Sequence, residues 1–503
     1  MAAFEPLDQH NLALAHSVRP PGWVHPEPRG RYNLVVLGGG TAGLVTAAAA
    51  AGLGARVALV ERKWLGGDCL NVGCVPSKAM IRSARAVAAA RRASRFGLPD
   101  AVAGEVDFGA VMERMRRLRA RLAPHDGAER FRELGIDVFF GEGRFVGPRR
   151  VEVDGTRLDF ARAVIATGAR AAVPSIPGLE SAGYLTYETL FSLTERPRRL
   201  GVIGAGPVGC EMAQAFARLG SEVVLVETGH GILPREDREA AAWVQAAMER
   251  DGVRLLCCGK DLAVVSGSGG PRLTVRSHGR SCEVEVDRIF VAVGRVPRVE
   301  GLGLEAAGVE SGPQGVVVDD RLRTSNRAIF AAGDICSRYR FTHAADAMAR
   351  IVVRNALFAG REKASALVMP WCTYTSPELA HVGLTAEQAR ERGEPVRTVR
   401  VPMADVDRAV LDGETEGFVK VHHRGGSDRI LGATIVAARA GELISGISVA
   451  LHAGAGLATL SRSIHPYPTQ GEVLRRVGDA WNRTRLTPRL RRVFAAWLAW
   501  RRR

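Results

Sequence analysis

The sequence predicts an α/β protein, and three observations predict it. First, an apolar run, a Gly-rich turn, a helix-forming stretch and a second apolar run occur twice. They read YNLVVLGGGTAGLVTAAAAAGLGARVALVER from Tyr32 and RLGVIGAGPVGCEMAQAFARLGSEVVLVETG from Arg199. Second, each copy carries Gly-x-Gly-x-x-Gly and closes on an acid at the same offset: Gly38, Gly40, Gly43 and Glu61, then Gly204, Gly206, Gly209 and Glu227. Third, 503 residues with 46% apolar content and only eight cysteines describe a globular chain of several domains rather than a disulfide-stapled scaffold.

In each copy the first glycine allows the tight turn, the second lets a pyrophosphate approach the backbone, and the third lets helix and strand pack closely. The helix N-terminus offers N–H groups and partial positive charge to phosphates, and the acid accepts from ribose hydroxyls. The expectation is two Rossmann-like dinucleotide-binding domains holding two dinucleotides. Glu227 would repel a 2′-phosphate, so the second site is expected to take NADH, with NADPH as the alternative because Arg235 and Arg238 stand nearby in sequence. Tyr32 to Ala55 carries no charge over 24 residues, but its glycines read as strand, turn and helix rather than a membrane span.

The segment GGDCLNVGCVPSKAM, Gly66 to Met80, holds Cys69 and Cys74. Zinc would want further Cys or His partners, an iron–sulfur cluster a longer run of cysteines, and a structural disulfide an oxidising compartment. A redox pair fits better. Pro76 can open a helix, a cysteine at a helix start has its thiolate stabilised, and Lys78 adds positive charge one turn on.

Here the chain resembles the flavoprotein disulfide reductases, the group of dihydrolipoamide dehydrogenase, glutathione reductase and mercuric reductase. The match to G-G-x-C-x-N-x-G-C-x-P-S-K at Gly66–Lys78 carries it, within a likeness over Tyr32 to Glu472. The resemblance implies FAD in the first Gly-rich unit and the nicotinamide in the second. It implies that Cys74 is the charge-transfer thiol beside the flavin and that Cys69 meets substrate. Lys78 would pair with Glu211 of GCEMA. Thr167 and Gly168 of VIATGAR, Gly294, and Asp334 of NRAIFAAGDI would contact cofactor. It further implies a C-terminal α+β dimerisation domain and a homodimer whose active site the other subunit completes.

The expected organisation is a Pro-rich irregular arm over 1–30, an FAD-binding part over 31–172, an NAD-binding domain over 173–296, a second FAD-binding part over 297–365, an interface domain over 366–480, and a basic aromatic tail over 481–503. No N-terminal metal-carrier domain and no signal peptide are expected, and the compartment is expected to be cytoplasmic.

The chain departs from the family near its end, where SIHPYPTQGEVLRR puts Tyr467 at the position of the family's catalytic histidine, with Glu472 five residues on. Imidazole titrates near pH 6.5 and phenol near pH 10, so Tyr467 is a poor base for a disulfide substrate. Mercuric reductase carries tyrosine there and binds a soft ion through thiolates. It also ends in a vicinal cysteine pair, whereas the last cysteine here is Cys372. Cys257 and Cys258 are vicinal but lie beside a strand in the nicotinamide domain, where a filler role is expected, so no metal site is assigned.

The expected chemistry is mercuric-reductase-like, with a lipoamide-type disulfide reductase as alternative and His465 or Glu472 as its base. The acceptor is a small one: metal ion, disulfide or quinone. The net charge of +16 is read as arginine on solvated faces. No nucleic-acid-binding signature is present, so no nucleic acid partner is expected. From Arg483 to Arg503 eight arginines alternate with Phe494, Trp497, Leu498 and Trp500 and no acid occurs, so this tail either lies on an anionic membrane at its inner face or packs on the protein.

Overall fold

The structure, a computed structural model, describes residues 4–28, 30–99, 105–267 and 269–502. Residues 1–3 and Arg29 of the expected arm and Arg503 of the tail lie outside the described residues. The chain forms two units: residues up to Thr228 together with Gly252–Leu367, and Gly229–Asp251 together with Val368 onward.

In the first unit the strands Asp137–Phe140, Val57–Glu61, Tyr32–Leu37 and Thr156–Ile165 run parallel in that order, and Ile329–Ala331 pairs parallel with the last. Parallel strands covered on both faces read as unbroken apolar runs, as VVL and VALV do here. The register sets Leu37 and Ala331 opposite Ile165 on either side. The Gly38 turn, Thr167–Gly168 and Gly333–Asp334 therefore leave the sheet at one edge, the carboxyl edge where such sheets bind ligands.

A second parallel sheet orders Val253–Leu256, Glu222–Val226, Arg199–Ile203 and Arg288–Val291. It delivers Gly204, Glu227 and Gly294 to its own carboxyl edge. An antiparallel meander of Lys260–Gly267, Gly270–Ser277 and Arg280–Glu285 follows.

The expected irregular arm is corrected. Gln9–Val18 is a helix capped by the Asp8 carboxylate, which accepts from the Asn11 N–H at 2.8 Å, and it buries Asn11, Leu14 and Val18. The proline-rich stretch that follows lies along the sheet's edge strand, where the Trp23 indole donates to the Val138 carbonyl at 3.0 Å and the Phe140 N–H donates to His25 Nε2 at 3.0 Å. Covering an edge in this way blocks strand addition.

The second unit is α+β. An antiparallel sheet orders Pro370–Thr373, Glu378–Gly383, Ile430–Ala437, Phe418–Arg424 and Val396–Pro402. The helices Ala440–His452, Val473–Arg485 and Arg238–Arg250 contact it. The last of these lies in sequence within the expected nicotinamide domain, but its contacts group it with this unit, and Lys420 Nζ lies 2.9 Å from Asp237 at its start.

The tail is also redrawn. Trp481 is buried on Val473–Arg485, and a separate helix, Pro488–Trp500, buries none of its residues in the described chain. Among the described residues no helix is long and apolar enough to cross a membrane.

Candidate active site

The first Gly-rich turn fits FAD by the shape of its backbone. Gly38 has φ +108°, and a Cβ there would collide with the Ala166 carbonyl; a Cβ at Gly43 would collide with the Gly38 carbonyl. Helix Thr41–Gly52 starts at Gly40 with no side-chain cap, which leaves its first-turn N–H groups for a phosphate. The Glu61 carboxylate accepts from the Gly39 N–H and the Lys63 N–H, both at 2.6 Å. Burial pushes this carboxyl up, and those two donors oppose the rise.

The second turn repeats the plan. Glu227 accepts from the Ala205 N–H at 2.8 Å, Gly204 has φ +102°, and helix Pro207–Arg218 starts at Gly206 without a side-chain cap. A Cβ at Gly206 would meet no protein atom, so packing within the chain does not require that glycine.

Gly66 and Gly67, both at positive φ, turn the chain into the short helix Gly67–Asn71 that carries Cys69. What Gly67 approaches is the backbone of the first Gly-rich turn, because a Cβ on Gly67 would stand 2.6 Å from the Gly40 Cα. Cys74 is the first residue of helix Cys74–Ala90, after Gly73. Pro76 sits in the first turn, where a missing N–H costs nothing, and Met80, Ile81, Ala84 and Ala88 bury one face.

Cys69 and Cys74 are both free thiols here, with Cys74 exposed. A hydrogen bond from Cys69 lowers the Cys74 thiol to about 6, helped by the Thr342 hydroxyl, 3.4 Å away, and by Lys78; loss of hydration around the sulfur, although the residue as a whole is exposed, works against this. The Cys69 thiol is raised, first by that same bond and then by burial, so one thiolate forms and it is Cys74. Lys78 Nζ donates to Glu211 at 2.8 Å, and Glu211, on helix Pro207–Arg218, is only 5% exposed. A lysine paired with a buried carboxylate is held in one direction, because separating the two would leave a buried charge uncompensated.

Sequence reasoning missed a polar cluster beside the pair. Arg295, next to Gly294, binds Asp334 at 2.9 Å and also binds Asp68. The Tyr187 hydroxyl donates to Asp68 at 3.0 Å, with Arg295 stacked over its ring. Burial would lower the Arg295 guanidinium, but Asp334 and Asp68 outweigh it and raise it. Asp334 thus has a protein partner besides its expected cofactor, and burial pushes its carboxyl up. Thr167 donates its hydroxyl to the Arg298 carbonyl at 3.0 Å, while Gly168 and Gly294 hold positive φ with no protein atom near a Cβ.

In the second unit, Tyr467 is 71% exposed and donates to Asp407 at 3.1 Å, a bond that raises its phenol further. Glu472 is buried; its Oε1 accepts from Arg475 at 2.9 Å and lies 3.4 Å from Arg476, while Oε2 is buried without a hydrogen bond. The Tyr467 hydroxyl is thus directed to Asp407 and not to Glu472.

Residues 32–349 match the pyridine nucleotide-disulphide oxidoreductase family and residues 369–477 its dimerisation domain. The chain belongs to this family. It is an oxidoreductase of the FAD- and NAD(P)H-dependent class I disulfide oxidoreductases, with the dimerisation domain that goes with a homodimer. It is 36% identical over 446 residues to a mercuric reductase of Lysinibacillus sphaericus, covering 88% of this chain and 81% of that one. It is also 36% identical over 463 residues to a dihydrolipoyl dehydrogenase of Thermus scotoductus, covering 89% and 97%. Among solved structures it resembles the HOCl-induced flavoprotein disulfide reductase RclA from Escherichia coli, with TM-score 0.78, 29% identity, and 89% and 99% of the two chains covered. The expected fold class and family stand.

Proposed function

We propose that the chain is an NADH-dependent reductase of a soft metal ion, with Hg(II) as the acceptor to test first. The observation that carries this reading is Tyr467, a phenol raised by Asp407 where a disulfide reductase needs a base. FAD, held by the Gly38–Gly43 turn, Glu61, Thr167–Gly168 and Asp334, supplies electron relay between nicotinamide and cysteines when bound. The oxidised Cys69–Cys74 pair takes up two electrons and one proton originating in NADH and becomes one thiol and one thiolate. Cys74, lowered by Cys69, Thr342 and Lys78, is the thiolate; Cys69 keeps the proton and faces the acceptor. Cys69 and Cys74 bind Hg(II) as a dithiolate and the Cys69 proton goes to solvent; two further electrons originating in a second NADH, which bound FAD would relay, release Hg(0) and return both sulfurs as thiolates, one of which takes up a proton. Glu211 holds Lys78 in place beside Cys74.

Glu227 supports NADH over NADPH, and the dimerisation domain supports an active site completed by Tyr467 and Glu472 of a second copy. A second reading, lipoamide-type disulfide reduction, is favoured by the dihydrolipoyl dehydrogenase at the same 36% identity. The exposed helix Pro488–Trp500, arginine-rich and without acids, supports a peripheral contact with an anionic inner-membrane face, which would admit a quinone acceptor. The rest of the chain reads as cytoplasmic.

The test is NADH consumption by the holoenzyme in excess small thiol, with Hg(II) or with lipoamide. Turnover with Hg(II) alone, lost by roughly 10³-fold or more in Cys74→Ser, is the expected result. Fast lipoamide turnover with inhibition by Hg(II) would move the protein to the second reading. Vesicles of anionic lipid should retain the full chain and release a chain lacking 486–503.

A further inference from the structure

We propose that Cys257, Cys258 and His278 form a binding site for a thiophilic d10 metal ion, with Zn(II) the simplest occupant. The filler role expected of the vicinal cysteines asks only for buried sulfur, and their surroundings go beyond that.

Cys257 follows the strand Val253–Leu256 and is buried, while His278 stands at the surface on the hairpin turn between Gly270–Ser277 and Arg280–Glu285. Cys257 Sγ lies 3.2 Å from His278 Nε2, and the Cys258 thiol hydrogen-bonds that of Cys257. Two sulfurs and an imidazole nitrogen, donors suited to zinc and softer ions, thus stand in a row of contacts through the Cys257 thiol. In a tetrahedral zinc site, with bonds of about 2.0–2.3 Å, ligand atoms stand roughly 3.5 Å apart, close to the 3.2 Å between Cys257 Sγ and His278 Nε2.

The backbone is bent to the same end. Cys258 has φ +54° and His278 φ +47°, a region that favours glycine or asparagine. With Gly279 at φ +78°, His278 occupies a two-residue turn whose first position is ordinarily Asn, Asp or Gly. The Ser277 hydroxyl donates to the Cys257 carbonyl at 2.7 Å and ties the turn to the cysteines. Backbone outliers held by their surroundings cluster at functional sites.

The test uses full-length holoenzyme carrying Cys69→Ser and Cys74→Ser, so that the redox pair cannot bind metal, and titrates Zn(II) against a colorimetric chelator. One equivalent per chain is expected. Cys258→Gly and His278→Asn suit the local backbone, so bound FAD and the thermal midpoint should stay as in the parent. Each should weaken zinc by at least about tenfold, because even outer partners of metal ligands are worth 10–100-fold. A parent that binds no zinc, or variants that bind it as the parent does, would overturn the proposal. Neither outcome bears on Hg(II) turnover at Cys69–Cys74, which is measured separately.

Discussion

The two Gly-rich units are built to one plan and differ in what stands over the turn. In both, the third glycine is packed against the first glycine's carbonyl, and the closing glutamate binds a backbone N–H of the turn. Over the first turn, however, Gly67 of the cysteine segment rests on Gly40, while Gly206 of the second faces no protein atom. The first turn is roofed by the residues that carry Cys69, as suits a resident cofactor that must meet the disulfide. The second is open, as suits a nucleotide that enters and leaves at each turnover.

The shared part of the plan is the costliest to break. Gly43→Ala or Gly209→Ala puts a methyl group into a backbone carbonyl and should destabilise by about 3 kcal/mol, read as a fall in thermal midpoint of similar size for both. A marked difference between the two would mean that the units are not equivalent in packing. Gly67→Ala tests the roof. Its φ of +56° and its clash with Gly40 should cost about 1–2 kcal/mol from the backbone alone. FAD should be lost on dialysis, whereas Gly206→Ala should keep both FAD and stability and raise the KM for NADH about tenfold.

The glutamates sharpen the contrast. Hydrogen bonds to a charged group are worth about 1.5–3 kcal/mol, so Glu61→Gln should weaken FAD retention by roughly tenfold or more without changing nucleotide preference. Glu227→Gln should leave FAD bound and shift the NADH to NADPH ratio of kcat/KM toward NADPH by about tenfold. If Glu227→Gln leaves that ratio unchanged, the carboxylate does not select NADH.

The pair under the roof has a pH signature. Because Cys74 is lowered to about 6, the thiolate of the reduced enzyme should be present at neutral pH and fade as pH falls through that value. Cys69→Ala removes the largest cause and Lys78→Met a smaller one, so both should move the midpoint upward toward the ordinary thiol range. An unchanged midpoint in Cys69→Ala would show that the hydrogen bond between the thiols does not set it.

What was legible in the sequence was local. The two turns, their helices and the start of helix Cys74–Ala90 follow from residues within one βα unit, and the backbone demands of glycine and proline are written at the positions themselves. Lys78 with Glu211 was legible only through the family resemblance, since 133 residues separate them. Thr342, 268 residues from Cys74, and Arg295, 227 from Asp68, carry no signal in spacing, because the fold alone brings them together. The arm reads as irregular because its prolines outweigh Asp8, whose carboxylate accepts from the Asn11 N–H three residues on and caps the helix that starts at Gln9.

That helix supplies the most indirect effect, and it too belongs to the first unit. Arg119 is buried, and burial holds its guanidinium down to about 10. It donates to the Asn71 carbonyl at 2.5 Å, at the end of the Cys69 helix, and to the Asn11 side chain at 2.7 Å. Asn11 therefore satisfies a cation that in turn holds the cysteine segment over Gly40. Asn11→Ala removes one acceptor and should cost about 1–2 kcal/mol, read as a lowered thermal midpoint. FAD should dissociate faster while the KM for NADH stays as it was, because the second turn has no share in this chain of contacts. A rise in that KM instead would mean that the roof over the first turn and the open second turn are not independent.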